Sequence, residues 1–298
     1  MNKNLYLRAS IIQAVRNFFI KDNYLEVETP IRIPTLAPEA YIDPVTSGSW
    51  YLQTSPELCM KRLLCAGHNK IFQICKCFRN NERGKKHLPE MTMLEWYRTK
   101  STYLDLMNQC EALIKFTAKA ICCNNILHYQ GNNIDISKLW EKITVAEAFN
   151  KYTSISMQDA INNGTFDEIM GFEIEPNLGL NTPVFIYDYP AEKGALARLK
   201  PSDKSLAERF ELYISGMELC NAFTELTDPI EQRTRFEKEL SLMKSENKNL
   251  YPMPEKFLKA LEFMPNAAGI ALGIDRLVMI FANVDSIDQI TAFTPENL

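Results

Sequence analysis

The segment from Phe78 to Arg98, FRNNERGKKHLPEMTMLEWYR, joins two extended runs through a loop rich in charged and amide side chains. Because side chains alternate between the faces of a strand, one face of the second run carries Met91, Met93, Glu95 and Tyr97. A carboxylate and a phenol on an otherwise apolar face suit an ammonium group, whereas the preceding arginine and basic loop suit an anion. The alternative is an exposed glutamate beside a half-buried tyrosine. The segment predicts two paired strands at a site for a ligand that carries both charges.

The remaining pattern predicts an α+β fold with an antiparallel sheet flanked by helices. Predicted helices run from the N-terminus to about residue 22, from Ser55-Pro56-Glu57 to Gly67, over 103–123, over 228–247 and over 274–282. Predicted strands cover 24–29, 51–53, 71–79, 91–98, parts of 210–226, and 268–271, whereas 130–195 is weakly patterned. Strands come in blocks separated by long helices, which favours one α+β domain over residues 1–298.

Composition excludes several classes of protein. The net charge of −4 argues against a broad phosphate-binding surface, so a nucleic acid would bind only through a local patch. We find neither a signal peptide nor an apolar run of ~18 residues, and we expect no membrane span. The 8 cysteines and 3 histidines match no zinc or disulfide spacing. Reduced thiols in a cytoplasmic protein are therefore expected.

Two later segments carry candidate ligand-binding residues. Glu211 and Glu218 flank Gly216, and a bend there would bring together two hard oxygen ligands suited to Mg²⁺, although plain surface charge is the alternative. One strand face further along carries Asn221, Phe223 and Glu225. The run GIALGIDR at 269–276 places glycines at a strand-to-helix turn and an arginine in the first helical turn, where phosphates bind readily. Helix packing would explain the same glycine spacing.

Three ordered motifs resemble those of class II aminoacyl-tRNA synthetases of the lysyl type. They are YLEVETP (24–30), FRNNERGKKHLPEMTMLEWY (78–97) and GIALGIDRL (269–277), and TSPE and ELCNAFTELTDP add to them. The resemblance covers essentially the whole chain. It implies the class II catalytic fold, ATP as co-substrate, Mg²⁺ and a homodimer.

The resemblance also implies residue roles. Arg79, which would hold the α-phosphate, and Arg276, which would clamp the triphosphate, are the expected catalytic residues, with His87 toward the γ-phosphate. The implied ATP-binding set is Arg79, Asn80, Asn81, His87, Leu88, Met91, Glu218, Leu219, Gly273 and Arg276. Glu211 and Glu218 would hold Mg²⁺. The implied amino-acid set is Ser55, Pro56, Glu57, Glu95, Tyr97, Asn221, Phe223, Glu225 and Ala271, with Glu57 at the α-side amine and Glu95, Tyr97 and Glu225 at the distal ammonium.

The adenine-facing positions depart from the family pattern. The family has Glu, Asn and Phe where this chain has Asn81, Leu88 and Met91. An amide oxygen at 81 still accepts from the adenine amine, but Leu88 forms no hydrogen bond. Losing an aromatic stack forfeits ~0.5–1.5 kcal/mol, of which a methionine sulfur contact returns a part. We expect weakened but surviving ATP binding.

The first motif begins close to Met1, so we expect no anticodon-binding domain. Within the family, the form without that domain is a paralogue that attaches (R)-β-lysine to elongation factor P, and the resemblance implies this activity without stable tRNA binding. Ala271, where true synthetases have glycine, and the run YPAEKGALARL (189–199) support the paralogue. Two alternatives stay open: a minimal synthetase that charges an RNA, and a catalytically reduced regulatory paralogue.

Overall fold

The computed structural model describes residues 3–123, 125–194 and 196–298, so residue 195 of the 189–199 run lies outside the described residues. The helices are α1 (Lys3–Lys21), α2 (Glu57–Cys65), α3 (Tyr103–Ala120), α4 (Val145–Tyr152), α5 (Met157–Asn162), α6 (Phe166–Ile169), α7 (Pro229–Ser245), α8 (Glu255–Leu261) and α9 (Ile274–Ala282). The strands are β1 (Leu25–Glu26), β2 (Arg32–Ile33), β3 (Thr46–Ser47), β4 (Trp50–Leu52), β5 (Lys70–Phe78), β6 (Glu90–Thr99), β7 (Ile126–Tyr129), β8 (Asn132–Asp135), β9 (Glu141–Thr144), β10 (Val184–Pro190), β11 (Leu199–Lys200), β12 (Asp203–Ile214), β13 (Met217–Thr224) and β14 (Ala267–Gly273).

The main sheet has the strand order β1-β5-β6-β14-β13-β12-β10-β9, and β11 pairs with β12. The central neighbours are antiparallel, and the pairs at the two ends, β1 with β5 and β10 with β9, are parallel. Two small sheets, β2-β4-β3 and β7-β8, lie outside it. The predicted α+β class with a mostly antiparallel sheet is confirmed.

The two faces of β6 enter different cores. Leu94 and Trp96, both fully buried, pack in the largest core cluster with residues of α1, α3 and α9. Tyr97 points to the opposite face, where a second cluster joins side chains of α2, α7 and α8. The alternation predicted from the sequence is thus present, and Glu95 and Tyr97 share the face opposite the largest core cluster.

An ion pair fixes three elements around the start of α9. Asp275 accepts from Arg8 Nη1 at 2.6 Å and from the Thr92 backbone N at 2.7 Å. Arg8 Nη2 also donates to Thr92 Oγ1 at 2.7 Å. Helix α1, strand β6 and the first turn of α9 are therefore held together, which places Arg276 beside the site face.

The long predicted elements are confirmed, with shifted boundaries. The strand predicted over 24–29 is only β1, and the helix predicted to reach 123 ends at Ala120. The weakly patterned region 130–195 contains α4, α5, α6 and β10, which pack in a separate core cluster. Helices α4 and α5 are short, 8 and 6 residues, and depend on the capping residues Thr144 and Ser156. Among the described residues, no helix combines the length and apolarity that crossing a membrane requires.

Candidate active site

The site face is organised in rows that cross the sheet. In one row, the register pairs Glu95 with Ala271, Ala271 with Asn221, and Asn221 with Glu211. The neighbouring row carries Tyr97, Gly269, Phe223 and Arg209 in the same strand order. Adjacent strands lie about 4.8 Å apart, so residues distant in the sequence become lateral neighbours. Several side chains predicted to bind the amino acid therefore occupy one continuous surface.

Glu95 lies at the end of the site that also carries Glu57 and Glu225, which we call the acidic end. The residue is 1% exposed, and its carboxylate accepts from Ser55 Oγ at 2.6 Å and from Tyr97 OH at 2.8 Å. Burial, together with the nearby Glu57, raises the pKa of the Glu95 carboxyl to about 7. Ser55 Oγ also accepts from the Glu57 backbone N at 3.1 Å, so Ser55 couples the start of α2 to this carboxylate. The predicted helix start is one residue early, since Pro56 rather than Ser55 is the N-cap and α2 begins at Glu57.

Glu57 and Glu225 meet through a lysine that sequence reasoning missed. Lys61 Nζ contacts Glu57 Oε1 and lies 2.5 Å from Glu225 Oε2, and the side chains of Lys61 and Glu225 are 1% and 0% exposed. Burial raises the pKa of the Glu225 carboxyl, and the positive charge of Lys61 partly offsets this rise. Both Glu225 oxygens are buried without a hydrogen bond of regular geometry among the described residues, and only Oε2 has the Lys61 ammonium beside it. An unpaired buried carboxylate oxygen fits a ligand that brings its own ammonium group.

Gly269 leaves the space beside that oxygen. A Cβ at position 269 would lie 2.2 Å from Tyr97 Cε1 and 2.4 Å from Glu225 Oε1. Real Cβ atoms do not approach other atoms so closely, so only glycine allows the ring and the carboxylate to approach the strand here. The first glycine of the 269–276 run is thus required by close packing at the acidic end.

Arg79 lies at the other end of the site, after β5. Its backbone N donates to Pro89 O at 2.9 Å, and Nη1 is 3.9 Å from Glu82 Oε1. Its buried Nε has no partner among the described residues. A buried guanidinium nitrogen without an acceptor fits an incoming phosphate oxygen.

Arg276, His87 and Glu218 form one network. Arg276 Nη1 donates to Glu218 O at 2.9 Å and to Glu218 Oε2 at 3.1 Å, and Nη2 contacts His87 Nε2. Burial and the Arg276 charge lower the pKa of His87 to about 4, so the imidazole is neutral at pH 7. The network brings together three residues predicted to contact the triphosphate.

Glu211 is held by three donors. Its Oε1 accepts from Arg209 Nη2 at 2.6 Å, and its Oε2 accepts from the phenols of Tyr189 and Tyr213 at 2.6 and 2.7 Å. Burial raises the pKa of Glu211, and the charge of Glu218 adds to that effect. No group of three or more His, Cys, Asp or Glu residues suited to a metal occurs in the described ranges. Carboxylates are the hard oxygen donors that Mg²⁺ prefers, so the binding of Mg²⁺ by Glu211 and Glu218 stays a prediction.

Arg209 and Glu39 are further residues that sequence reasoning missed. Arg209 Nε donates to Asn221 Oδ1 at 3.1 Å, and its guanidinium lies 4.4 Å from the Tyr189 ring centroid. Because Arg209 also donates to Glu211, it links a predicted amino-acid residue, Asn221, to a predicted Mg²⁺ ligand. Glu39 lines a small recess with Ser55 and Glu57, and burial and Glu57 raise the pKa of Glu39 to about 7. Arg209 stands two residues before Glu211 on the same strand face, so the period-two pattern could have identified it. Glu39 lies in a loop, where no such pattern exists.

The predicted adenine-side residues are spread out. Asn81 Nδ2 is 3.5 Å from Asp43 Oδ2, Asn80 is exposed and its backbone N donates to Asp43 O, and Met91 is half-buried on β6. Leu88 and Leu219 are 5% and 2% exposed and pack in the largest core cluster. Gly273 ends β14 directly before α9. Contacts of these residues with ATP stay predictions, and for Leu88 and Leu219 the side chains contribute mainly to the core.

The second-motif loop is attached to the segment 285–297. Arg83 donates to Glu296 Oε1 at 2.8 Å and to Asp288 Oδ2 at 3.0 Å, and the Ile287 backbone N donates to Lys85 O at 2.8 Å. In the cluster formed by Arg83, Lys85 and Lys86, one cation is thus already paired with two carboxylates. The loop is held beside the site by its polar contacts.

Comparison with known proteins agrees with this geometry. The family model for class II tRNA synthetases (D, K and N) matches residues 1–297, and the chain belongs to that family. A protein of Pectobacterium carotovorum named elongation factor P--(R)-beta-lysine ligase is 37% identical, over 98% of this chain and 95% of its own length. Proteins of the same name from Baumannia cicadellinicola and Histophilus somni are 39% and 38% identical, over 98% of this chain and 94% of theirs. The resemblance stated from the three motifs is confirmed.

Proposed function

We propose that the protein activates (R)-β-lysine with ATP and transfers the β-lysyl group to a lysine side chain of elongation factor P. The observation that carries the proposal is that acidic side chains gather at one end of the site and arginines at the other. Buried Glu95 and Glu225 and the partly buried Glu57 lie at one end, and Arg79 and Arg276 are cations at the other. The names of full-length relatives give the substrate and the acceptor.

The acidic end suits a diamino acid. Glu225 Oε1 is a buried acceptor without a partner among the described residues, and Tyr97 holds Glu95 through its hydroxyl. An ammonium group that binds there gains charge-assisted hydrogen bonds worth ~1.5–3 kcal/mol each. Glu57, nearer the start of α2, would receive the second amino group. An amino acid without a distal amine would leave Glu225 Oε1 buried without an ammonium partner, so it would bind less well.

The cationic end suits the triphosphate of ATP. Arg79 would orient and neutralise the α-phosphate, and Arg276 would hold the distal phosphates together with His87. Glu211 and Glu218 would hold Mg²⁺, which when bound neutralises phosphate charge. Binding ATP requires Arg276 to exchange at least part of its contact with Glu218 for phosphate oxygens. The role of the protein is positioning and electrostatic stabilisation, without a protein nucleophile.

Two half-reactions follow. A carboxylate oxygen of β-lysine attacks the α-phosphorus, and pyrophosphate leaves with the electrons of the broken P–O bond, which gives a β-lysyl-adenylate. The neutral ε-amine of the acceptor lysine then attacks the activated carbonyl carbon. AMP leaves with the electrons of the broken C–O bond, the nitrogen releases its proton to solvent, and an amide bond remains.

The proposal includes the properties that the resemblance implies. The chain would act as a single catalytic domain, as a homodimer, in the cytoplasm and without stable tRNA binding. Within the described residues all cysteines are free thiols, which is consistent with a reducing compartment.

Incubation of the protein with ATP, Mg²⁺, (R)-β-lysine and elongation factor P tests the proposal. Intact-mass analysis should show one β-lysyl addition on the factor, and an acid gel should show uncharged tRNA in a parallel reaction. The matched control is the factor with its acceptor lysine changed to arginine. Charged tRNA with an unmodified factor would identify a minimal synthetase, and absence of ATP–pyrophosphate exchange with any diamino acid would identify a binding paralogue.

A further inference from the structure

Lys61 is a buried cation inside a site built for cations. Its side chain on α2 is 1% exposed, its Nζ contacts Glu57 Oε1, and the Phe223 ring centroid is 5.1 Å away. Burial disfavours the ammonium form, but Glu225 and Glu57 outweigh that effect and raise the pKa of Lys61 above its usual value. The acidic end therefore contains a permanent positive charge of its own.

Lys61 distinguishes the two oxygens of Glu225. Its Nζ lies 2.5 Å from Oε2. Oε1 packs against the strand at Gly269, where a Cβ would lie 2.4 Å from it, and it is buried with neither an ion-pair nor a hydrogen-bond partner among the described residues. A carboxylate held at one oxygen cannot rotate freely, so the other oxygen has a fixed direction. Lys61 holds Glu57 in the same way from one turn of helix away.

Charge balance gives Lys61 a second effect. When ionised, Glu57, Glu95 and Glu225 supply three negative charges, and Lys61 neutralises one of them. Two amino groups of a diamino acid would neutralise the rest. Without Lys61 the same substrate would leave one buried charge uncompensated, which is unfavourable.

We propose that Lys61 is a positioning residue that acts through Glu57 and Glu225 to select substrates with two amino groups. It fixes the direction of both carboxylates and sets the net charge of the acidic end. The inference rests on the proposed activation of a diamino acid at this site. It concerns how the selection is made, and not which acceptor receives the product.

Steady-state ATP–pyrophosphate exchange with the Lys61→Met variant tests the proposal. The substrates are the diamino acid that the wild-type protein activates best and an analogue without the distal amine. We expect the KM for the diamino acid to rise about tenfold or more while the KM for ATP is unchanged. We also expect the preference for the diamino acid over the analogue to fall by a similar factor. Lys61→Arg, which keeps the charge, should restore most of the preference.

Arg62→Met is the matched control, because Arg62 is the next residue on α2 and is exposed. It should leave both KM values unchanged. A folded Lys61→Met variant with wild-type KM and preference would overturn the proposal, as would equal losses toward ATP and both amino acids. If Lys61→Met does not fold, Lys61→Gln replaces it with the same expected results, and failure of both to fold would make Lys61 a purely structural residue. Absence of wild-type exchange would instead contradict the proposed function.

Discussion

Arg276 donates two hydrogen bonds to Glu218, one to the backbone carbonyl at 2.9 Å and one to the carboxylate at 3.1 Å. The expected triphosphate clamp and an expected Mg²⁺ ligand thus neutralise each other in the free protein. Binding of ATP and Mg²⁺ would therefore exchange at least part of this ion pair for contacts with phosphate oxygens and the metal.

Arg276→Ala should reduce ATP–pyrophosphate exchange by at least ~100-fold, because a preorganised charge at the reacting phosphates is lost. Glu218→Ala should have a similar effect and should weaken the dependence on Mg²⁺. Arg233→Ala is the control, since Arg233 forms a surface ion pair with Glu255. Exchange at the wild-type rate in Arg276→Ala would remove Arg276 from the mechanism.

Gly269→Ala should block the acidic end. The new Cβ would lie 2.2 Å from Tyr97 Cε1, and overpacking of this kind costs ~1–3 kcal/mol. We expect a raised KM for the amino acid and a lower melting temperature, whereas ATP binding is retained. Gly171→Ala, where a Cβ would meet no atom within 4 Å, should change none of these. An unchanged amino-acid KM in Gly269→Ala would show that the ligand binds elsewhere.

Amino-acid binding should release protons near neutral pH. Burial raises the pKa of Glu95 to about 7 and raises the pKa of Glu225, and an arriving ammonium lowers both by favouring the ionised forms. Because the folded pKa values exceed the unfolded ones, the stability that these carboxyls contribute is present below about pH 4.5 and is lost as the pH rises through 7. The bound amino acid should therefore raise the melting temperature more at about pH 8 than at about pH 6.

Calorimetry in two buffers of different ionisation enthalpy measures the released protons directly, and Glu95→Gln should release fewer. An equal stabilisation by the amino acid at both pH values would contradict this account.

Ala271→Gly should shift the preference from (R)-β-lysine toward α-lysine only in part. Ala271 pairs with Glu95 on one side and Asn221 on the other, so its methyl lies between two residues of the proposed amino-acid site. One methyl in such a site changes discrimination by ~1–3 kcal/mol. The ratio of kcat/KM values for the two substrates is the measurement, and Ala268→Gly, in the large core cluster, is the control. A constant ratio would assign the Ala271 methyl to packing alone.

Sequence patterns predicted the parts of the site that lie on regular strands. Period two placed Glu95 and Tyr97 together, and the break predicted at Gly216 separates β12 from β13. Lys61 escaped prediction because helix α2 buries it only after the chain folds back on Glu225, 164 positions away in the sequence. The short helices of 130–195 were not predicted, because their stability depends on capping residues and on packing against β10. Local hydrophobic periodicity reports neither of these.

The row from Glu95 through Ala271 and Asn221 to Glu211 crosses four hydrogen-bonded strands. Three interstrand spacings set its length at about 14 Å, and backbone hydrogen bonding keeps those spacings constant. Insertions in the surrounding loops therefore cannot lengthen or shorten the site. A relative with the same sheet can adapt to a longer or shorter amino acid by exchanging side chains along this row. Substrate size in this fold is thus a property of side-chain volume at a few positions, and one methyl group is the smallest step by which it can change.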